Sequence, residues 1–93
     1  NDLKTELDID FFTAVLGGEA SLQTFAGEIK IKIPPKTQKG KVFRIKGKGM
    51  PVLNQDSKYG DLYVKIAIVI PVDLTQEEIK KLEEIRKQRL NNV

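Results

Sequence analysis

Residues Glu28-Ile29-Lys30-Ile31-Lys32-Ile33 alternate charged and aliphatic side chains without a break and stop against Pro34-Pro35. Successive side chains of an extended chain point to opposite faces, so this period of two makes a half-buried strand, isoleucines to the core and lysines to water. The prolines cannot donate to a ladder and end it. The isoleucines need a second layer to cover them, and the rest of the sequence repeats the pattern. Leu3, Thr5, Leu7 and Ile9 alternate with Lys4, Glu6, Asp8 and Asp10. A strand over 19–25 closes in a turn at Ala26-Gly27. Residues 36–40 turn into a strand over 41–46, with Phe43 and Ile45 inward. Residues 61–70 make the longest strand, with Leu62, Val64, Ile66, Ile68 and Ile70 on one face. Tyr63, Ala67 and Val69 make its other face partly apolar too, which places it centrally in a sandwich.

Two segments break the alternation. Over 11–16, Phe12, Val15 and Leu16 share one face of a short helical turn, which Gly17-Gly18 stops. After Pro71, Thr75 is an N-cap and Glu78 completes a capping box, with Leu74 and Ile79 spaced as a hydrophobic staple. Acids crowd the start of this helix and Arg86, Lys87 and Arg89 its end, as the helix dipole favours. Glu77–Lys81 and Glu83–Lys87 are pairs in the favourable order. Its apolar stripe is narrow: Ile79, Leu82 and Ile85 or Arg86. A helix of about 15 residues with so thin a stripe is marginal alone, so it packs on its own sandwich or on a second copy. The spacing predicts a mainly β fold: a small two-layer β-sandwich with one short helical turn over 1–72, and a C-terminal α-helix over 73–93.

Composition narrows the chemistry. The 93 residues hold no cysteine and no histidine. That removes a disulfide framework, a thiolate metal site and any Ser-His or Cys-His nucleophile. Asp8 and Asp10 share a strand face and read as solvated charges rather than an acid/base pair. Gly47-Lys48-Gly49 lacks the spacing and the Ser/Thr of a phosphate-binding loop and reads as a turn with positive φ. The expectation is a non-enzyme with no cofactor and no metal. No apolar run approaches the roughly 20 residues that span a bilayer. The chain opens on Asn1 without a signal-peptide pattern, so it reads as a piece of a longer protein from a reducing cytoplasm.

Charge is uneven although the net is only +3. Eight of the nine charged residues from Glu28 to Lys48 are basic. Lys30, Lys32, Arg44, Lys46 and Lys48 are therefore candidates for a phosphate or acidic-partner face, with solvated strand faces as the plainer reading. The one aromatic of that stretch, Phe43, points inward, so stacking on bases is not expected. Sandwiches also leave strand edges that accept an extended peptide. Leu7, Ile9 and Leu22, with Phe25 beside them, are either core or the lining of a shallow apolar depression for such a peptide.

Four motifs in order carry a resemblance that covers nearly the whole chain. Thr13-Ala14-Val15-Leu16-Gly17-Gly18-Glu19, Ile33-Pro34-Pro35-Lys36-Thr37-Gln38-Lys39-Gly40, Arg44-Ile45-Lys46-Gly47-Lys48-Gly49-Met50-Pro51 and Gly60-Asp61-Leu62-Tyr63-Val64 resemble the second C-terminal β-domain of DnaJ-type J-domain co-chaperones. Lys36 departs from the pattern, because many relatives carry glycine or a small residue there. The resemblance implies a β-sandwich whose parent binds unfolded polypeptide and delivers it to an ATP-driven heat-shock chaperone. It also implies a homodimer joined through the tail, here with Leu74, Ile79, Leu82 and Ile85 as contacts. The J-domain, the Gly/Phe-rich linker and a cysteine zinc module are not in these residues. In the family's preceding sister domain the groove strand carries lysines, and the corresponding strand here, over 20–25, carries none. That favours a spacer and dimeriser over a peptide binder. Some such relatives are linked to DNA binding, which keeps a nucleic-acid module as the alternative.

Overall fold

A computed structural model describes residues 2–24, 27–50, 52 and 58–91. The elements are β1 (Leu3–Asp10), α1 (Phe11–Leu16), β2 (Gly18–Thr24), β3 (Gly27–Ile33), β4 (Val42–Ile45), β5 (Leu62–Val69) and α2 (Gln76–Asn91). One sheet has the order β1-β5-β4, and β2 and β3 form a second, two-stranded sheet. β1 runs parallel to β5, with Leu3 opposite Leu62 and Ile9 opposite Ile68. β4 runs antiparallel to β5, with Phe43 opposite Val64. The hairpin is antiparallel, with Ala20 opposite Ile31 and Leu22 opposite Ile29.

Register brings the alternating aliphatics together. Ile9, Ala14, Ile31, Ile33, Leu62, Val64 and Ile66 form one buried cluster drawn from both sheets and α1, with Leu3, Leu7, Ala20, Leu22, Phe43, Ile45 and Ile68 packed around it. β5 is the central strand and supplies three of the seven buried side chains. The lysines of β3 alternate outward, as the period of two requires.

Three expected core positions are on the surface. In α1 the buried residue is Ala14, while Val15 and Leu16 are 43% and 72% exposed. The loop after β3 lies across this turn, and its backbone hydrogen-bonds the Ala14 carbonyl, so only a small side chain fits beneath. Ile70 is exposed because β5 ends at Val69.

α2 stands off the sheets, and none of its residues is buried. The radius of gyration is 17.8 Å, against about 12 Å for a compact chain of this length. The capping box forms as expected: the Glu78 amide donates to Thr75 Oγ1 at 3.1 Å and the Thr75 amide to Glu78 Oε1 at 2.8 Å. These bonds hold the Glu78 carboxyl below its usual value. No helix among the described residues is long and apolar enough to cross a membrane.

Candidate peptide-binding and dimerisation surfaces

β1 is an edge strand of its sheet, and β2 belongs to a sheet of only two strands, so among the described residues each has a neighbouring strand on one side alone. Between the start of β1 and the end of β2 lies an open cleft of about 400 Å3, lined by Leu3, Lys4, Thr5, Gln23, Thr24, Lys48 and Leu62. Leu62 is buried and forms its floor, and half-buried Lys48 stands at its rim. Leu7, Ile9 and Leu22 are not among its lining residues. Ile9 is core, with 4% of its surface exposed and nothing to offer a peptide. Leu7 and Leu22 are half-buried against the core. Phe25 lies outside the described residues.

The basic side chains do not share a face. Lys30 and Lys32 project from the outer side of the hairpin, where Lys32 sits opposite Glu19 and Lys30 opposite Ser21. Arg44 lies on the far side of β4 from Phe43 and Ile45, on the outer face of the other sheet. Each strand alternates as its sequence requires, but the strands fall in different sheets, so their outward residues point apart. Arg44 is also engaged. Its Nε and Nη2 reach Asp61 Oδ2 at 2.7 Å and 2.5 Å, while the Gly47 amide donates to Asp61 Oδ1 at 3.2 Å. The Arg44 bond, then that amide, hold the Asp61 carboxyl below its ordinary value, and Asp61 raises Arg44 in turn. Asp61 thereby ties β4 to the glycine turn that follows it. Lys46 is exposed within that turn.

Asp10 also has a task the sequence reading missed. Its Oδ2 accepts from the Phe12 and Thr13 amides at 2.9 Å and 3.2 Å, and its Oδ1 accepts from Thr13 Oγ1 at 2.5 Å. The Thr13 hydroxyl is the main reason its carboxyl is held below the ordinary value. An Asp immediately before a helical turn was the available signal. Asp8, on the same strand face, is exposed on β1. Among the described residues no group of three or more Asp or Glu is placed to hold a metal.

On α2, Leu82, Ile85, Arg86, Arg89 and Leu90 line one shallow groove, and Ile79, Leu82, Glu83 and Arg86 another. Leu82 is half-buried, while Ile79 and Ile85 are exposed, and Leu74 is half-buried in the approach to the helix. Ile79, Leu82 and Ile85 thus share one uncovered side of α2, and Leu74 precedes the helix.

Residues 1–71, which hold all four motifs, match the family model described as the DnaJ C terminal domain. The chain belongs to the DnaJ C-terminal domain family. It is 44% identical over 86 residues to the Chaperone protein DnaJ of Neisseria meningitidis serogroup B (strain MC58), covering 92% of this chain and 23% of that protein. It is 44% identical over 88 residues to the Chaperone protein DnaJ of Brucella anthropi, covering 94% of this chain and 23% of that protein. The chain therefore spans about a quarter of the length of these relatives. This DnaJ C-terminal domain has a proline exit from β3, a glycine turn after β4 and a Gly60-Asp61 entry to β5. Each is a place where the backbone turns or is tied across strands, so each constrains the fold more than any reaction.

Proposed function

We propose that this chain is a non-catalytic co-chaperone module of the cytoplasm. It joins two copies of its parent through α2 and contributes to holding unfolded polypeptide, which the parent passes to an ATP-driven heat-shock chaperone. The observation that carries this reading is α2 itself: 16 residues with a cap, an apolar stripe and no buried side chain. A helix in that state gains most of its stability from packing on a partner. In this reading 1–72 is the sandwich domain and 73–93 the dimerisation element, with Leu74, Ile79, Leu82 and Ile85 as contacts. The polypeptide would add along the open edges of β1 and β2, above the cleft floored by Leu62, with the exposed parts of Leu7 and Leu22 beside it. The nucleic-acid alternative lacks a continuous basic face, because Lys30 and Lys32 point away from Arg44.

Fluorescence anisotropy with a labelled unfolded peptide and a labelled oligonucleotide, each at low and high salt, tests the binding half. Peptide binding that survives salt is expected, since apolar contacts are not screened. Binding of the oligonucleotide alone, lost at high salt, would overturn it. Light scattering tests the joining half, where a monomer mass would overturn it.

A further inference from the structure

The charges beside the α2 stripe are divided along its length. Residues three and four apart share a helix side, so Glu78 and Glu83 flank Ile79 and Leu82, whereas Arg86 and Arg89 continue the same stripe towards Leu90. Lys80 and Lys81, the two bases among the acids, lie on the other sides of the helix, and Lys81 pairs with Glu77 at 3.5 Å. The interacting side is thus acidic in its first half and basic in its second. A parallel pair would set each of these residues against its own copy: Glu78 on Glu78, Arg86 on Arg86, Arg89 on Arg89. Burying like charges together is costly. Reversing one helix about a point between Glu83 and Glu84 sets Leu82 against Ile85 and Glu78 against Arg89 of the second copy. The same reversal brings Arg86 within about one turn of the second copy's Glu83.

Resting on the joining role proposed above, we infer that two copies of α2 pair antiparallel, with the Glu-to-Arg charge gradient setting their direction. The occupant of the stripe is a second copy of this chain, because the complement of its charge pattern is the same pattern reversed. The two sandwiches then leave the joint at opposite ends of the helix pair.

The chain has no cysteine, so Gln76→Cys carries a single nitroxide label at the start of α2. Double electron–electron resonance on the doubly labelled dimer reads the direction. In the antiparallel pair the label sites are separated by about 24 Å, from a rise of about 1.5 Å per residue and an axis spacing of about 9 Å. In a parallel pair they lie about 10 Å apart. A dimer mass with the long distance is the expected result. A dimer mass with the short distance overturns the orientation and leaves the joining role standing. A monomer mass overturns both. Arg89→Glu is a second reading: it should weaken an antiparallel dimer on the order of tenfold, through its new repulsion with Glu78. An unchanged dissociation constant would overturn the charge argument.

Discussion

The Lys36 amide donates to the Val15 carbonyl at 3.0 Å from a left-handed backbone, φ 65°. The next amide, Thr37, donates to the Ala14 carbonyl at 2.8 Å, and the Thr37 hydroxyl to the Pro34 carbonyl at 2.6 Å. The loop leaving β3 therefore satisfies the last carbonyls of α1, which a helix of six residues cannot satisfy itself. To do so the chain must turn left-handed at a residue that carries a side chain. Lys36→Gly removes a steric cost of about 1–2 kcal/mol and adds a backbone-entropy cost of about 0.5–1 kcal/mol. The variant should be equal in stability or up to about 1.5 kcal/mol more stable. Urea denaturation checks it, with a raised midpoint at unchanged slope. A lower midpoint would mean that the lysine side chain contributes something its exposed position does not suggest.

Gly17 is the other half of this joint, and its substitution should act in the opposite direction. It has φ 85°, and an added Cβ would lie 3.0 Å from Pro35 Cδ and 3.1 Å from the Ile33 carbonyl. The Ile33 contact is backbone and cannot swing aside. Gly17→Ala should destabilise the sandwich by about 2 kcal/mol, combining the left-handed penalty with that displacement. Thermal unfolding of both variants beside the parent would show it, because Gly18→Ala meets nothing nearer than Thr13 Cγ2 at 3.4 Å and should cost less.

Acid should loosen this fold through carboxylates that the structure holds ionised. Asp10, Asp61 and Glu78 all sit below their ordinary values of 3.8, 3.8 and 4.5, through Thr13, Arg44 and Thr75 respectively. A group whose folded value is depressed contributes its full stability above the unfolded value and loses it as pH falls through the folded one. The melting temperature should therefore be flat from neutral pH to about 5 and decline below about 4. In Asp61→Asn the decline should be shallower and the neutral-pH value lower, because Arg44 loses its charged partner. A wild-type curve that is still flat at pH 2.5 would show that these bonds contribute nothing to stability.

Much of this architecture was legible because it is periodic. Strict alternation in β1, β3 and β5 fixed their inward faces, and the two-sided apolar pattern of β5 correctly placed it in the middle of its sheet. The capping box of α2 was readable at three-residue spacing, and it forms. What escaped the sequence depends on meetings between distant segments. Arg44 and Asp61 are 17 residues apart, and nothing local says that one arginine of a basic run is paired. That Lys32 and Arg44 face opposite ways follows from their strands lying in separate sheets, which the period of two does not encode. In α1 the periodicity favoured the large side chains, but six residues are too few for an apolar face to decide burial, and the loop from Pro34 to Thr37 decided it instead.

The joining role of α2 yields a prediction that separates assembly from folding. Leu82 and Ile85 lie on the uncovered stripe and outside the buried cluster that both sheets share. Replacing both with Asp puts two charges into the proposed contact while removing no side chain from the core. Light scattering should show the mass falling from dimer to monomer. The helix signal in circular dichroism should fall with it, since an isolated helix of this length is marginal in water. The sandwich itself should melt within about 0.5 kcal/mol of the parent monomer, the usual range for surface changes. By contrast Ile66→Ala, at a position 1% exposed in the centre of β5, should cost about 2–5 kcal/mol and unfold the sandwich while leaving the α2 stripe intact. If the double Asp variant keeps the dimer mass, α2 is not the joint, and its apolar stripe serves another contact.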